Sequence, residues 1–560
     1  MPTLRQSYDY IIVGAGSAGC ALANRLSRES SRSVLLVEAG PKGRHPLLRI
    51  PLGFAFLMNH KTLNWGYHTE PEQNLSGRRI SWPRGRVLGG TSAINGMVYI
   101  RGQADDYDSW ANLGCHGWDY QSVLPYFLRS EHYAGSPSSF HGRGGPLWVE
   151  EFEPAERWRL ADIFVQAAME SGLPFNNDFN GADQEGVGYY QKNIRRGRRH
   201  SARNAYLDPV SSRPNLTVVT GMLARRLLLD ANRVSGVELQ SDSPRSAGPL
   251  VINANREVIL CGGAINSPQL LELSGIGNGE LLSSLGIDVI RDAPGVGENL
   301  QDHLTVNVLQ GLSGVKTFHE ETRPLRLLGN LAKYAMNGSG LLSHPAAQVG
   351  AFFRTSEQVK RPDAQVHFAP AASETDSRGN MKTRTGTTAT VCFLRPASRG
   401  SIHIASPDPT RAPLIRANYL SEPEDVQSTV AAVRRVRQIF QAPTFAPYRQ
   451  SEILPGPTVN SDEQLLRFIQ DHAESVYHPV GTCRMGADQD SVVDERLRVR
   501  GIEALRIADA SIMPILISGN THAPTTMIAE KCADLILEDS GVPLEPLAAS
   551  YRRQLEGIQQ

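Results

Sequence analysis

At 560 residues the chain exceeds what one simple core accommodates, which predicts two domains or one large elaborated unit. Its 57 basic and 57 acidic residues cancel to zero formal charge, so no global field favours nucleic acid, and a nucleic-acid partner is not expected. The six cysteines (Cys20, Cys115, Cys261, Cys392, Cys483 and Cys532) are scattered without CxxC spacing, which argues against a disulfide framework and a metal site. Reduced thiols, no secretory pattern ahead of Tyr10 and no apolar run of the roughly 20 residues that cross a bilayer together predict a cytoplasmic protein, at most peripheral to the inner face of the membrane.

Residues 8–40 read as strand, tight turn, helix and second strand. Gly14-Ala15-Gly16-Ser17-Ala18-Gly19 follows the apolar run Tyr10–Val13 and opens the helix. The first glycine permits the turn, the second lets backbone approach a pyrophosphate, and the third lets helix pack on strand. Phosphate then meets the helix N-terminus, where free N–H groups favour negative charge. Glu38, followed by Ala39, closes the second strand Val34–Val37 and stands 19 residues beyond Gly19, placed to accept a ribose hydroxyl. A glycine-rich turn alone would be weak evidence. With both strands and the acid present it predicts dinucleotide binding, without separating NAD from FAD.

Irregular ground rich in proline and glycine runs from Pro41 to Gly90, an excursion expected to cover the cofactor. Strands resume at Asn215–Val219, Val234–Leu239 and Glu257–Leu260, the last leading through Cys261-Gly262-Gly263 into a helix near Ser267-Pro268. Beyond residue 310 the character changes. Thr387–Leu394 and Ser401–Ile404 predict antiparallel strands around an Arg399-Gly400 turn, and residues 424–440 a helix with Val426, Val430, Val433 and Phe440 inward. The predicted class is α/β (α+β overall): a Rossmann-type domain of residues 1–155, 200–310 and 465–545, an inserted antiparallel-sheet substrate domain of residues 156–199 and 311–464, and a tail of residues 546–560. Residues 323–336 mix Arg323, Arg326 and Lys333 with leucines, which suits a surface helix over the substrate domain or, alternatively, a patch that docks on a membrane. His478 and His522 lie more than 450 residues beyond the dinucleotide loop, so an active site using both requires the chain to return.

Three further stretches carry a family resemblance. They are Gly85-Arg86-Val87-Leu88-Gly89-Gly90-Thr91-Ser92-Ala93-Ile94-Asn95-Gly96; Gly263-Ala264-Ile265-Asn266-Ser267-Pro268 through Gly277; and the C-terminal set of the Tyr477-His478-Pro479 segment, Ala508-Asp509-Ala510 and Gly519-Asn520-Thr521-His522-Ala523-Pro524. From about Tyr8 to Leu537 the chain resembles the glucose–methanol–choline oxidoreductase family, above all its bacterial choline and alkanol dehydrogenase branch. The resemblance implies FAD, with flavin over Arg86, Gly89, Gly90, Asn95, Gly96, Met97 and Val98, adenine beside Ala224, and Asp509 and Ala510 near the pyrophosphate and ribityl chain. Trp65, Pro524 and Thr525 are implied as further cofactor contacts. For Asn95 and Asp509 the competing reading is capping or turn formation. Ile94 stands where some members tether flavin through histidine, so FAD is expected to be non-covalent.

The implied reaction takes a hydroxyl proton and passes the α-hydride to flavin N5, with His478 as base. The relatives carry Asn-Ala-Pro-Thr where this chain has His522-Ala523-Pro524-Thr525, which leaves open whether His522 titrates or acts as a neutral donor, and which histidine is the base. Gln348 aligns with a glutamate of the choline enzymes. With Tyr477 it is the expected substrate contact, favouring an uncharged primary alcohol, aliphatic or aromatic. The reoxidant is oxygen or a quinone-type acceptor. Redox-silent members, such as a cyanohydrin lyase or a flavin photodecarboxylase, are the alternative, and an NAD-linked enzyme or plain nucleotide-binding module the third reading. Cys483 suits a buried small residue better than a thiol nucleophile.

Overall fold

The computed structural model describes residues 4–241, 248–375 and 381–543. Strand β1 (Ser7–Val13) runs into helix α1 (Ser17–Leu26) and returns as β2 (Val34–Glu38). Both strands are nearly continuous apolar runs because they are covered on both faces, as parallel strands require. β3 (Leu216–Thr220), β4 (Met222–Asp230), β5 (Arg233–Ser241) and β6 (Leu250–Leu260) complete a sheet ordered β3-β2-β1-β6-β5-β4. Helix α2 (Gly263–Leu273) follows β6, and helix α3 (Pro324–Asn337) lies in the other half of the chain. Late in the chain β7 (Leu505–Ile507) joins β6 in parallel, and helix α4 (His522–Asp539) packs on α1. β3, β2, β1, β6 and β7 are mutually parallel, so their carboxyl ends share one edge, the position at which open α/β sheets bind ligands.

A second sheet is antiparallel and ordered Arg449–Leu454, Leu304–Leu312, Gly386–Phe393, Ala364–Ala369, Val349–Phe353 and Gly186–Tyr189, with Glu474–Ser475 beside Leu304. Helices Arg159–Glu170 and Pro423–Gln441 cover one face, where Phe164 stacks on Phe368 at 4.2 Å and Val433 and Val436 are buried. The two-residue period of a strand then turns His367 and Ala369 to the opposite face, toward a cavity between the sheets. Its strand Leu304–Leu312 starts ahead of the expected 310/311 boundary, and Glu474–Ser475 belongs to the sheet although the sequence places that pair with the cofactor segments.

One expected hairpin does not form. Gly386–Phe393 pairs within the second sheet, whereas Ser401–His403 pairs with Leu414–Arg416 in a separate ladder. Between them Pro396 lacks a ladder N–H, and the Asp425 carboxylate captures the amides of Ala397 (2.8 Å) and Ser398 (2.9 Å), turning the chain away. The helix over residues 424–440 is present as Pro423–Gln441, and the tail 546–560 lies outside the described residues. All six cysteines are free and buried. Among the described residues no helix is long and apolar enough to cross a membrane, and no cluster of three acidic, histidine or cysteine side chains could hold a metal.

Candidate active site

The cavity between the sheets measures about 480 Å³ and is walled by the carboxyl ends of β1, β2 and β6, the start of α1, the 83–98 segment and three C-terminal stretches. At its dinucleotide end the glycines differ in what they do. A Cβ on Gly14 would sit 2.5 Å from the Cys261 carbonyl oxygen, and one on Gly19 would sit 1.9 Å from that of Gly14, so these two exist for backbone packing. A Cβ on Gly16 would meet nothing within 4 Å, and Gly16 lines the cavity, so its backbone is open to a ligand. No side chain caps α1 at Gly16, which leaves the first-turn amides for an anion. Glu38 reaches the same wall. Its two oxygens accept from the amides of Ala15 (3.0 Å) and Gly40 (2.8 Å), and burial pushes its carboxyl up to about 7.

Ser17, Ala18, Ala39, Trp65, Gly90, Asn95, Gly96, Met97, Val98, Ala224, Asp509, Ala510 and Thr525 all border the cavity. Ala15, Gly19, Arg86, Gly89 and Pro524 are not among the residues that line it. Gly89 donates to the Ala15 carbonyl (2.8 Å), tying the second glycine-rich segment to the first, and Arg86 lies over the Trp65 ring at 5.1 Å. Asp509 is spent locally on the Gly263 amide (2.8 Å), the Ser267 hydroxyl (2.6 Å) and the Ser511 amide (2.8 Å). Ile94 borders the cavity and offers no atom for a covalent tether. Behind Asn95, buried Arg199 donates to the Asn95 carbonyl (2.7 Å) and side-chain oxygen (2.8 Å), while its Nε and second terminal nitrogen have no hydrogen-bond partner. Burial alone draws its guanidinium down to about 9.

At the other end, His478 is held by elements the sequence reading did not connect. Its amide donates to Asp302 (2.7 Å), whose other oxygen accepts from the hydroxyls of Ser475 (2.5 Å) and Tyr419. Burial pushes the Asp302 carboxyl up to about 6. The preceding Tyr477 adopts φ 69°, a left-handed conformation rare for tyrosine, fixed by its amide on Ser475 (2.7 Å) and by Arg84 on its carbonyl.

The imidazoles form a directed chain. His303 Nε2 lies 2.9 Å from the Leu394 carbonyl, which only accepts, so His303 carries its proton on Nε2. Burial draws His303 down to about 4 and keeps it neutral, so its Nδ1 offers a lone pair. That lone pair faces His478 Nδ1 at 3.0 Å, so His478 donates from Nδ1 and keeps Nε2 unprotonated. Burial holds His478 well below the usual histidine range, and the Asn520 amide donates to Nε2 at 3.1 Å.

His522 occupies a different place. As the first residue of α4 its Nδ1 meets the Ser17 hydroxyl (2.9 Å) at the dinucleotide loop, and its buried Nε2 has no partner. Burial and then Arg199 draw it down to about 4. Both histidines border one cavity, but the donor beside His478 is Asn520, two residues before the expected His522. Gln348 also requires correction. Its carbonyl oxygen accepts from the Trp158 amide (3.0 Å), its nitrogen bonds the Glu156 carbonyl (2.8 Å) and His344 (2.9 Å), and it does not reach the cavity. Tyr477 does border it, together with His367, which the sequence reading did not single out.

Family profiles described as GMC oxidoreductase match residues 8–305 and 396–529. The chain belongs to the GMC oxidoreductase family. It is 43% identical over 550 residues to an alcohol dehydrogenase [acceptor] of Pseudomonas putida, covering 98% of this chain and 99% of that one. It is also 43% identical over 553 residues to an oxygen-dependent choline dehydrogenase of Rhizobium etli, covering 97% of each. Among solved structures, pyridoxine 4-oxidase from Mesorbium loti superposes with a TM-score of 0.84 at 32% identity, covering 94% of this chain and 99% of that one. Formate oxidase gives a TM-score of 0.89 at 26% identity, covering 96% and 99%.

The open Gly16 backbone, the uncapped α1 terminus and the partnerless His522 nitrogen all fit a flavin dinucleotide along this wall. The glycines allow a direct check. Gly19→Ala should lower the melting temperature, since its Cβ meets backbone, with a cost of about 1–3 kcal/mol or more. Gly16→Ala should leave the protein part's melting temperature unchanged and weaken FAD retention, read as loss of the flavin absorbance on gel filtration. Equal behaviour of the two variants would contradict the division of roles.

Proposed function

We propose that this chain oxidises an uncharged primary alcohol to its aldehyde, with His478 as the base and Asn520 as the donor beside it. FAD is its cofactor and CH–OH compounds are its donors, as for the family. When bound, FAD would supply the oxidant that accepts the α-hydride. The observation that carries the reading is the Leu394–His303–His478 chain, which presents an unprotonated Nε2 to the cavity. An alcohol is a very weak acid, so its proton must be received as charge develops. A bound hydroxyl takes the place of the Asn520 amide at Nε2, giving its hydrogen bond to that lone pair, and the displaced amide donates to the hydroxyl oxygen and steadies the developing oxyanion.

The walls support an uncharged substrate. Among the lining residues the carboxylates are Glu38 and Asp509, both already bonded to backbone amides at the dinucleotide end. None faces the His478 end, where Val98, Val476 and Ala346 contribute apolar surface, so a quaternary ammonium would find no counter-charge. His522, neutral and tied to Ser17, serves the cofactor end as a donor.

His478→Ala should retain FAD and slow anaerobic flavin bleaching by an alcohol about 10²–10⁴-fold; unchanged bleaching would overturn the assignment, and no bleaching of the wild type by any alcohol would favour a redox-silent member. His303→Met should slow the same step about 10–100-fold, with His303→Gln restoring much of it, because a glutamine oxygen still accepts from His478 Nδ1. Burial lowers the pKa of His478, so the base form is present at and above neutrality and is lost as pH falls through that lowered value. The bleaching rate should therefore be flat from neutral pH upward, with its acid limb below the ordinary value of about 6.5. A limb centred above that value would contradict the tautomer chain.

A further inference from the structure

Helix α3 (Pro324–Asn337) is built inside out. None of its fourteen residues is buried, and Leu325, Leu328 and Met336 are 87%, 64% and 80% exposed. Leu325, Leu328, Ala332 and Met336 follow the i, i+3, i+7, i+11 spacing of one helical face, and all point to solvent. The half-buried positions Leu327, Asn330 and Tyr334 share the opposite face. There Asn330 donates to the Glu321 carboxylate (3.0 Å) and Tyr334 to the Gly197 carbonyl (3.1 Å). A helix resting on a soluble surface has the reverse arrangement, apolar inward and polar outward.

The surroundings are basic. Arg326 and Lys333 flank the apolar stripe, and the helix contains no acid. Gly197 is the turn of a hairpin of Ile194–Arg195 and Arg198–Arg199, whose Arg195, Arg196 and Arg198 are exposed. Arg49 and Arg323 are exposed beside them, against Glu320 and Glu321 on the short helix before α3. In a chain of zero formal net charge this is a local excess of cations. Apolar surface continues toward the cavity: Phe56, 67% exposed, sits between Phe54 and Met58, which border it, and the turn Leu341–Ser343 below α3 packs on Pro51–Gly53.

We propose that this face docks on an anionic phospholipid bilayer, with α3 lying in the headgroup plane and the cavity's Phe54–Met58 border turned toward the lipid. At fourteen residues α3 is about 21 Å long, too short and too charged at its flanks to span, and of the amphipathic kind that lies at an interface. A bilayer supplies apolar and negative surface together, whereas a second copy placed symmetrically would set the same arginines against each other. The inference does not depend on which alcohol is oxidised.

Co-sedimentation of the FAD-loaded protein with phosphatidylcholine vesicles, with and without phosphatidylglycerol, tests it. Binding should require phosphatidylglycerol, weaken at high salt, and fall by about tenfold or more in L325E/M336E and in R195E/R198E. Both variants should keep the flavin content and the turnover of a water-soluble alcohol, showing that they fold. Absence of binding to anionic vesicles, equal binding by the variants, or an oligomer that L325E/M336E dissociates would each overturn the proposal, the last by assigning the face to a second copy.

Discussion

The hydrogen bond from His303 to the Leu394 carbonyl sets the proton positions on which the cavity's chemistry depends. Leu394 directly follows a central strand of the antiparallel sheet, and His303 stands just before the neighbouring one, so the acceptor and the relay ring are fixed by sheet register. A carbonyl cannot donate, so it fixes one tautomer, and that tautomer fixes the next at His478. The chain holds only while both rings are neutral, which burial ensures. His200, His303, His367 and His522 are all drawn down to about 4 by the same cause. Each contributes stability that is present above the unfolded value near 6.5 and lost as pH falls toward 4.

The two ends of the cavity are brought into register by a second device. α4 begins at His522 beside the dinucleotide loop, and two turns later Glu530 receives both Arg25 of α1 (2.7 Å) and Arg129 (2.8 Å), with the Tyr206 hydroxyl at 2.8 Å. A buried ion network of this sort adds little net stability over a packed apolar one. Breaking one member would leave a charge stranded, so the network makes a slipped α1–α4 pairing costly. The cofactor loop and the return of the chain are thereby locked to each other.

What the sequence made legible was local. The glycine turn, the strand before it and Glu38 are read from neighbouring residues, because strand, turn and cap stereochemistry act over a few positions. His478 was legible by its motif, but its tautomer was not, since it depends on His303, 175 residues away. Asn520 lies within the Gly519–Pro524 motif, yet it precedes the first turn of α4 while His522 opens it, and that turn points the two side chains at different ends of the cavity. Gln348 failed for a related reason. Alignment gives a position along a strand, whereas three local hydrogen bonds decide which way the amide faces.

Arg199 shows where the fold accepts a cost for chemistry. Arg25, Arg101 and Arg506 are as buried, and each has a carboxylate: Glu530, Glu131 and Glu257. Arg199 has backbone and amide oxygens alone, with two nitrogens left without partners. An uncompensated buried cation is destabilising by several kcal/mol, more than a neutral side chain of similar shape would be. It sits one layer behind Ser92 and Asn95, both of which border the cavity, and it is the charge felt by His522. In a site of low dielectric its field reaches through that layer with little screening. It would favour the more negative state of a cofactor bound along that wall. The two ends of the cavity are thus set by opposite means, a stranded charge behind Asn95 at one and fixed lone pairs on neutral rings at the other.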